Sequence, residues 1–284
     1  MQVNKTLKSL IICSFLMTLG VSPVHADAAE AHYRLALQHK KKGDMDAALK
    51  EANEAVRGRK DFAAALLTRG HIYRHLNKLP QALDDYERVN KLQPDSPDGY
   101  AGAGAVLVRL ERYDEAIPRL KKAISLDPKD VTSVSSLGAA LRQQGHIDEA
   151  VKVYQSAVKQ NPDNADLLNN LGVALRHQRK YKEAAAALRK AVALRPYDAD
   201  FHLNLAITLR SAKQYKEAIG HYERALEQGL DRPSAVFDLG VCYERSGNTD
   251  KAIETYQRFA ELVRAKDPDA AKEAEKRAKG LARK

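Results

Sequence analysis

The sequence contains no tryptophan, only five phenylalanines and two cysteines among its 284 residues. Scarce tryptophan and phenylalanine argue against an ordinary compact core, because those side chains carry the largest purely apolar area per residue. No convincing stretch alternates apolar and polar residues at period two, which argues against a sheet. Cys13 falls in the N-terminal apolar stretch, so Cys242 is the only cysteine beyond it and no disulfide can close within that part of the chain. A lone cysteine at a small-residue helix position reads as an apolar filler, and the fold must be held by packing. There is no glycine-rich phosphate loop and no nucleophile motif. The longest apolar stretch is shorter than the roughly 20 residues a comfortable spanning helix needs.

Ala, Leu, Lys, Arg and Glu are abundant instead. These side chains lose little freedom in a helix, so the chain is expected to be all-α. The formal net charge is +10. Subtracting Lys5 and Lys8 of the N-terminal stretch leaves +8, spread diffusely. Such an excess suits a soluble protein and favours acidic partners.

Residues 1–26 read as an export signal. Lys5 and Lys8 form a positive start, Leu10–Val21 a short apolar stretch, and Val24-His25-Ala26 a cleavage site. Ile12 before Cys13, and an apolar stretch that continues past it, do not make a lipidation box. The expectation is cleavage near Ala26, a mature start at Asp27 and a periplasmic or secreted protein with no integral membrane span. Retention of the segment as an anchor is the alternative.

The dominant feature is a repeat. Ala48, Ala82, Ala116, Ala150, Ala184, Ala218 and Ala252 stand 34 residues apart. Ala36, Gly70, Gly104, Gly138, Gly172, Ala206 and Gly240 form a second column, and Ala52, Tyr86, Leu120, Tyr154, Leu188, Tyr222 and Tyr256 a third. Pro94, Pro128, Pro162 and Pro196 close four units. A fixed period of this length means stacked supersecondary units. Apolar residues recur at i, i+3, i+4 and i+7, which predicts two helices per unit. In the fifth unit the expected helices are Ala165–Gln178 and about Lys182 to Leu194. Ser96, Asp130, Asn164 and Asp198 stand at expected N-caps, and Pro118 inside a helix is expected to distort it slightly.

With Leu171-Gly172, Ala184, Leu188 and Pro196 in place, the sequence resembles the tetratricopeptide (TPR) family over residues 29–266. The units are 29–62, 63–96, 97–130, 131–164, 165–198, 199–232 and 233–266. Residues 267–284 are expected to form a capping helix, docked near Phe259 and Leu262. The leading tryptophan of the family is absent, His32, Leu66 and Tyr100 standing in the first three units. The resemblance implies a right-handed superhelical solenoid of helix-turn-helix repeats, whose concave face, lined by the first helix of each unit, takes a protein or peptide.

Two columns point to that face. One reads Lys40, Arg74, Val108, Arg142, Arg176, Arg210 and Glu244. The other reads Arg34, Thr68, Gly102, Ser136, Asn170, Asn204 and Asp238. The resemblance to the TPR arm of O-linked N-acetylglucosamine transferases places Asn170 and Asn204 in an asparagine ladder. An amide side chain offers donors and an acceptor to a peptide backbone. The expected peptide-binding residues are therefore Asn170, Asn204 and the adjacent Asn169, with Arg142, Arg176 and Arg210 attracting carboxylates. Ordinary solvated residues on a helix face are the alternative. The clamp of chaperone-binding TPR proteins is not matched, since Ser135, Ala139, Asn170, Asp200 and Asn204 stand there and only Asn170 fits. His71 and His75, at i and i+4, lack the third ligand zinc requires. The expectation is a non-enzymatic scaffold without cofactor, metal or nucleic acid. A self-assembling solenoid that forms homo-oligomers through its end repeats is the competing class.

Overall fold

The computed structural model describes residues 23–230 and 232–283, with side chains from residue 28. Residues 1–22, most of the expected leader, lie outside the described residues. The described residues form fifteen helices and no strand. They fall into two compact units, residues 1–144 and 145–284. The first holds α1 (Pro23–Lys42), α2 (Met45–Gly58), α3 (Ala63–His75), α4 (Leu79–Leu92), α5 (Pro97–Arg109), α6 (Tyr113–Leu126) and α7 (Val131–Gln143). The second holds α8 (Ile147–Gln160), α9 (Ala165–His177), α10 (Tyr181–Leu194), α11 (Ala199–Ser211), α12 (Tyr215–Glu227), α13 (Pro233–Ser246), α14 (Thr249–Val263) and α15 (Pro268–Leu281). Helix α1 runs through the expected cleavage point at Ala26.

Local sequence sets the helix ends. Asp130, Asn164 and Asp198 accept the backbone N–H of Thr132, Leu167 and Phe201 at 2.9, 3.0 and 3.1 Å. Ser96 accepts that of Asp98 at 3.4 Å. Each such cap contributes about 1 kcal/mol. Every first helix is followed by a residue of left-handed backbone, at Gly43, Asn77, Glu111, Gly145, Arg179, Lys213 and Gly247, with φ between 57° and 84°. The next amide then bonds back to the carbonyl five residues earlier, as Lys180 N does to Leu175 O at 3.0 Å and Gln214 N to Leu209 O at 2.8 Å. That bond satisfies a carbonyl the helix leaves open and turns the chain into the second helix. Helix α6 runs unbroken through Pro118.

The repeat columns are packing partners. A Cβ on Gly104 would lie 2.5 Å from Leu120 Cγ, and one on Gly172 2.5 Å from Leu188 Cγ. Cβ atoms on Gly70 and Gly240 would come within 2.9 Å of the Tyr86 and Tyr256 rings. The glycine column therefore receives the large side chain presented sixteen residues later, and the hairpin closes to van der Waals contact. Each second helix is also packed against the next first helix, as α4 against α5 and α10 against α11. In the second unit Leu188, Leu205, Leu209, Tyr222, Leu239 and Tyr256 share one core, each large apolar side chain contributing about 1.5–3 kcal/mol.

Helix α15 continues that core with Ala271, Ala274 and Ala278 against Phe259, Ala260 and Val263. Leu262 is half exposed at 50%, so Phe259 marks the docking surface of the last helix and Leu262 does not. First helices also touch one another: α1 with α3, α3 with α5 and α5 with α7 in the first unit, α9 with α11 and α11 with α13 in the second. These shared layers carry the columns selected from the sequence.

Candidate functional site

Asn169 and Asn170 lie on α9 and Asn204 on α11, all half-buried. The Asn204 side-chain amide donates to Asn169 Oδ1 at 2.9 Å. The bond joins the first helices of the fifth and sixth repeats, so two of the three expected asparagines are brought together. The link runs to Asn169 rather than to Asn170, its equivalent one repeat earlier. An asparagine pair of this kind keeps acceptor and donor capacity for a third group.

The arginines are separated by their surroundings. Arg142 lies on α7, in the first unit, and Arg176 and Arg210 lie in the second. The Arg210 guanidinium lies 3.3 Å from Asp238 Oδ2, and Tyr222 Oη donates to the same carboxylate at 3.2 Å. Burial pushes the Asp238 carboxyl up, with Arg210 opposing it. Burial likewise pushes the Tyr222 phenol up. The Cys242 thiol beneath them is fully buried and pushed up to about 12, chiefly by burial. It is an apolar filler in chemistry as well as in position. Arg210 thus serves to join α11 to α13, and its charge is already answered.

In the first unit the layer of first helices opens into a cleft of about 120 Å³. Gly102 and Ser136 line it, with His71, Arg74, Asp98 and Ser133. Gly102 and Ser136 belong to the column that contains Asn170 and Asn204. Two members of that column, Gly102 and Ser136, therefore border open space in the first unit.

A second polar centre was not foreseen. Asp85 is fully buried, and Arg69 donates to both its oxygens at 2.6 and 2.7 Å. Arg69 also reaches Asn53 Oδ1 at 3.1 Å, so the fork joins the second helices of the first two repeats. The unusual residue types at two packing positions were the available signal. Their pairing, sixteen residues apart, follows the same offset as the glycine contacts.

The family model of the cilia and flagella-associated protein 70 C-terminal domain matches residues 14–236, and that of the tetratricopeptide repeat matches residues 203–271. The chain belongs to the tetratricopeptide-repeat family. The ciliary name is that of another protein's domain. This TPR chain is similar to YrrB, a TPR protein with an unusual peptide-binding site, at 25% identity and a TM-score of 0.54, over 64% of this chain and 90% of that one. It is similar to PilF of Pseudomonas aeruginosa at 19% identity and a TM-score of 0.64, over 76% and 97%. A TPR protein from Parabacteroides merdae matches at 14% identity and a TM-score of 0.66, over 89% and 99%. The last two show the fold alone, the all-α TPR solenoid. No curated protein matches the sequence. The fold is that of a protein–protein interaction scaffold. Among the described residues no helix is long and apolar enough to cross a membrane.

Proposed function

We propose that this TPR chain is a non-enzymatic scaffold that holds an extended segment of a partner protein across its layers of first helices. The observation that carries the reading is the hydrogen bond from the Asn204 side-chain amide to Asn169 Oδ1 across two repeats. In the first unit, Gly102 and Ser136 of the equivalent column border a cleft. Side-chain amides fixed by such a bond present hydrogen-bonding groups to a backbone with little demand on its sequence. The similarity to YrrB, described as having an unusual peptide-binding site, supports the same reading. The basic start and apolar stretch of residues 1–26 support export, with the partner in an envelope or secreted assembly.

Self-assembly through the end repeats is less well supported. Helix α15 covers the last repeat with Ala271, Ala274 and Ala278, so the face of that repeat on which a second copy would stack is already occupied. Light scattering over a range of concentrations tests it, and a concentration-dependent oligomer lost on removal of residues 267–284 would restore it.

The test of the main reading is a peptide array probed with the full chain and with the double variant Asn170→Ala/Asn204→Ala. Circular dichroism checks that the variant is folded. Peptides held by the wild type and released by the folded variant support the asparagine site. Equal binding by both places the interaction elsewhere.

A further inference from the structure

Every first helix of the first three repeats ends in basic residues: Lys40 on α1, Arg74 and His75 on α3, Arg109 on α5. Cations in a last turn complement the helix dipole and need no ligand to explain them. Stacking, however, gathers these three ends around one cleft of about 470 Å³. Lys40, His71, Arg74, His75 and Arg109 line it over Ile72, and no carboxylate does. The volume is within the range of ligand sites.

The positive charge in the cleft is not neutralised. Arg109 donates to Arg74 O at 3.2 Å and to Asn77 Oδ1 at 2.8 Å, both neutral acceptors. Among the described residues, Lys40 and Arg74 pair with no carboxylate, although both are half-buried. His71 responds to this field. Burial first, then Lys40 and Arg74, push its imidazole down to about 4. It is therefore neutral at neutral pH and free to donate or accept.

The smaller cleft shares His71 and Arg74 with this one but changes sign. Asp98 and Asp130 line it beside small and hydroxyl residues, Gly102 and Ser136 among them. Beneath it the Tyr86 ring packs on Gly70 and Gly102. Tyr86 is fully buried, and its hydroxyl has no hydrogen-bond partner among the described residues. A buried hydroxyl normally finds a partner, so this one is an unmet polar group.

We infer that the two clefts form one charge-graded peptide site, in which Lys40, Arg74 and Arg109 take the side-chain carboxylates of an extended segment and the Asp98–Asp130 end takes its neutral or basic continuation. The inference rests on the reading that the chain binds extended peptides. It differs in place, lying in the first unit, and in chemistry, selecting by charge order. Several uncompensated cations exceed what one terminal carboxylate neutralises. A uniformly anionic polymer would meet Asp98 and Asp130 and be repelled there.

The test uses the full chain and fluorescein-labelled peptides in an anisotropy titration. One peptide carries glutamates, a Gly-Ser stretch and then lysines, with an amidated C-terminus. The comparison peptides are uniformly acidic and amidated, or neutral with a free C-terminal carboxylate. The graded peptide is expected to bind about tenfold more tightly than either, an advantage that shrinks at about 0.5 M salt. Lys40→Glu/Arg74→Glu should weaken it by more than about tenfold, and the milder Lys40→Gln/Arg74→Gln should act in the same direction if the reversal impairs folding. Asp98→Asn should strengthen binding of the uniformly acidic peptide. Equal binding of the neutral peptide with a free carboxylate would make this a terminal-carboxylate site and overturn the inference. So would unchanged binding by both charge variants. Asparagine-dependent binders on the array with no charge-dependent binding would remove the graded site and leave the scaffold reading standing. No binding in either experiment would remove both.

Discussion

The left-handed residues that end the first helices give the sharpest stability prediction. Gly43, Gly145 and Gly247 occupy that position in three repeats, whereas Glu111, Arg179 and Lys213 occupy it in three others, with φ of 57°, 61° and 61°. A side chain in that conformation costs about 1–2 kcal/mol because Cβ crowds the following carbonyl. Glycine removes the cost but gives back about 0.5–1 kcal/mol through greater freedom of the unfolded chain. The three side chains are exposed and line no core, so nothing else of consequence is lost. Arg179→Gly and Lys213→Gly should each stabilise the second unit by about 0.5–1 kcal/mol, and together by about 1–2 kcal/mol, since separated sites add. Urea unfolding followed by far-UV circular dichroism measures this. Repeat arrays can depart from two-state behaviour, so midpoints are compared at unchanged slope. Lys190→Gly, at an exposed interior position of α10, is the control and should destabilise by about 1 kcal/mol. If both glycines at 179 and 213 proved neutral or destabilising while the control behaved, the strain argument would be wrong.

The buried pair gives a second expectation. Asp85→Ala should cost about 3 kcal/mol, at the low end for a broken buried pair, because Arg69 keeps Asn53 at 3.1 Å. Arg69→Met/Asp85→Leu should recover most of it, and a double variant no better than Asp85→Ala would refute that account. Helix glycines separate by contact: Gly104→Ala should cost about 1–3 kcal/mol through overpacking on Leu120, whereas Gly220→Ala, with open space around its Cβ position, should gain about 0.5–1 kcal/mol. His71 sets a pH dependence. Its folded value of about 4 lies below the ordinary 6.5, so the unfolded chain binds the proton first. Stability is complete above about 6.5 and falls as pH drops towards about 4. His71→Gln should flatten that part of the urea-midpoint profile, and an unchanged slope would show that other groups control it.

The sequence alone determined the helical class, the number of repeats, the helix caps and the columns of small and large residues. These depend on local propensity and on a period that stacking reproduces in every unit. Fixed-offset columns are therefore readable before any coordinates are known. The left-handed position was equally periodic at Gly43, Gly145 and Gly247, but Glu111, Arg179 and Lys213 disguised it, because turn geometry imposed by the hairpin overrides their preference. Only the tertiary structure decided which polar side chains meet. Asn204 bonds to Asn169 and not to its column partner Asn170, Arg210 is answered by Asp238, and three helix ends distant in sequence converge on one cationic cleft. A column records which residues are equivalent. Contacts between side chains depend on how far each reaches and on the angle between neighbouring helices, and those are set by packing.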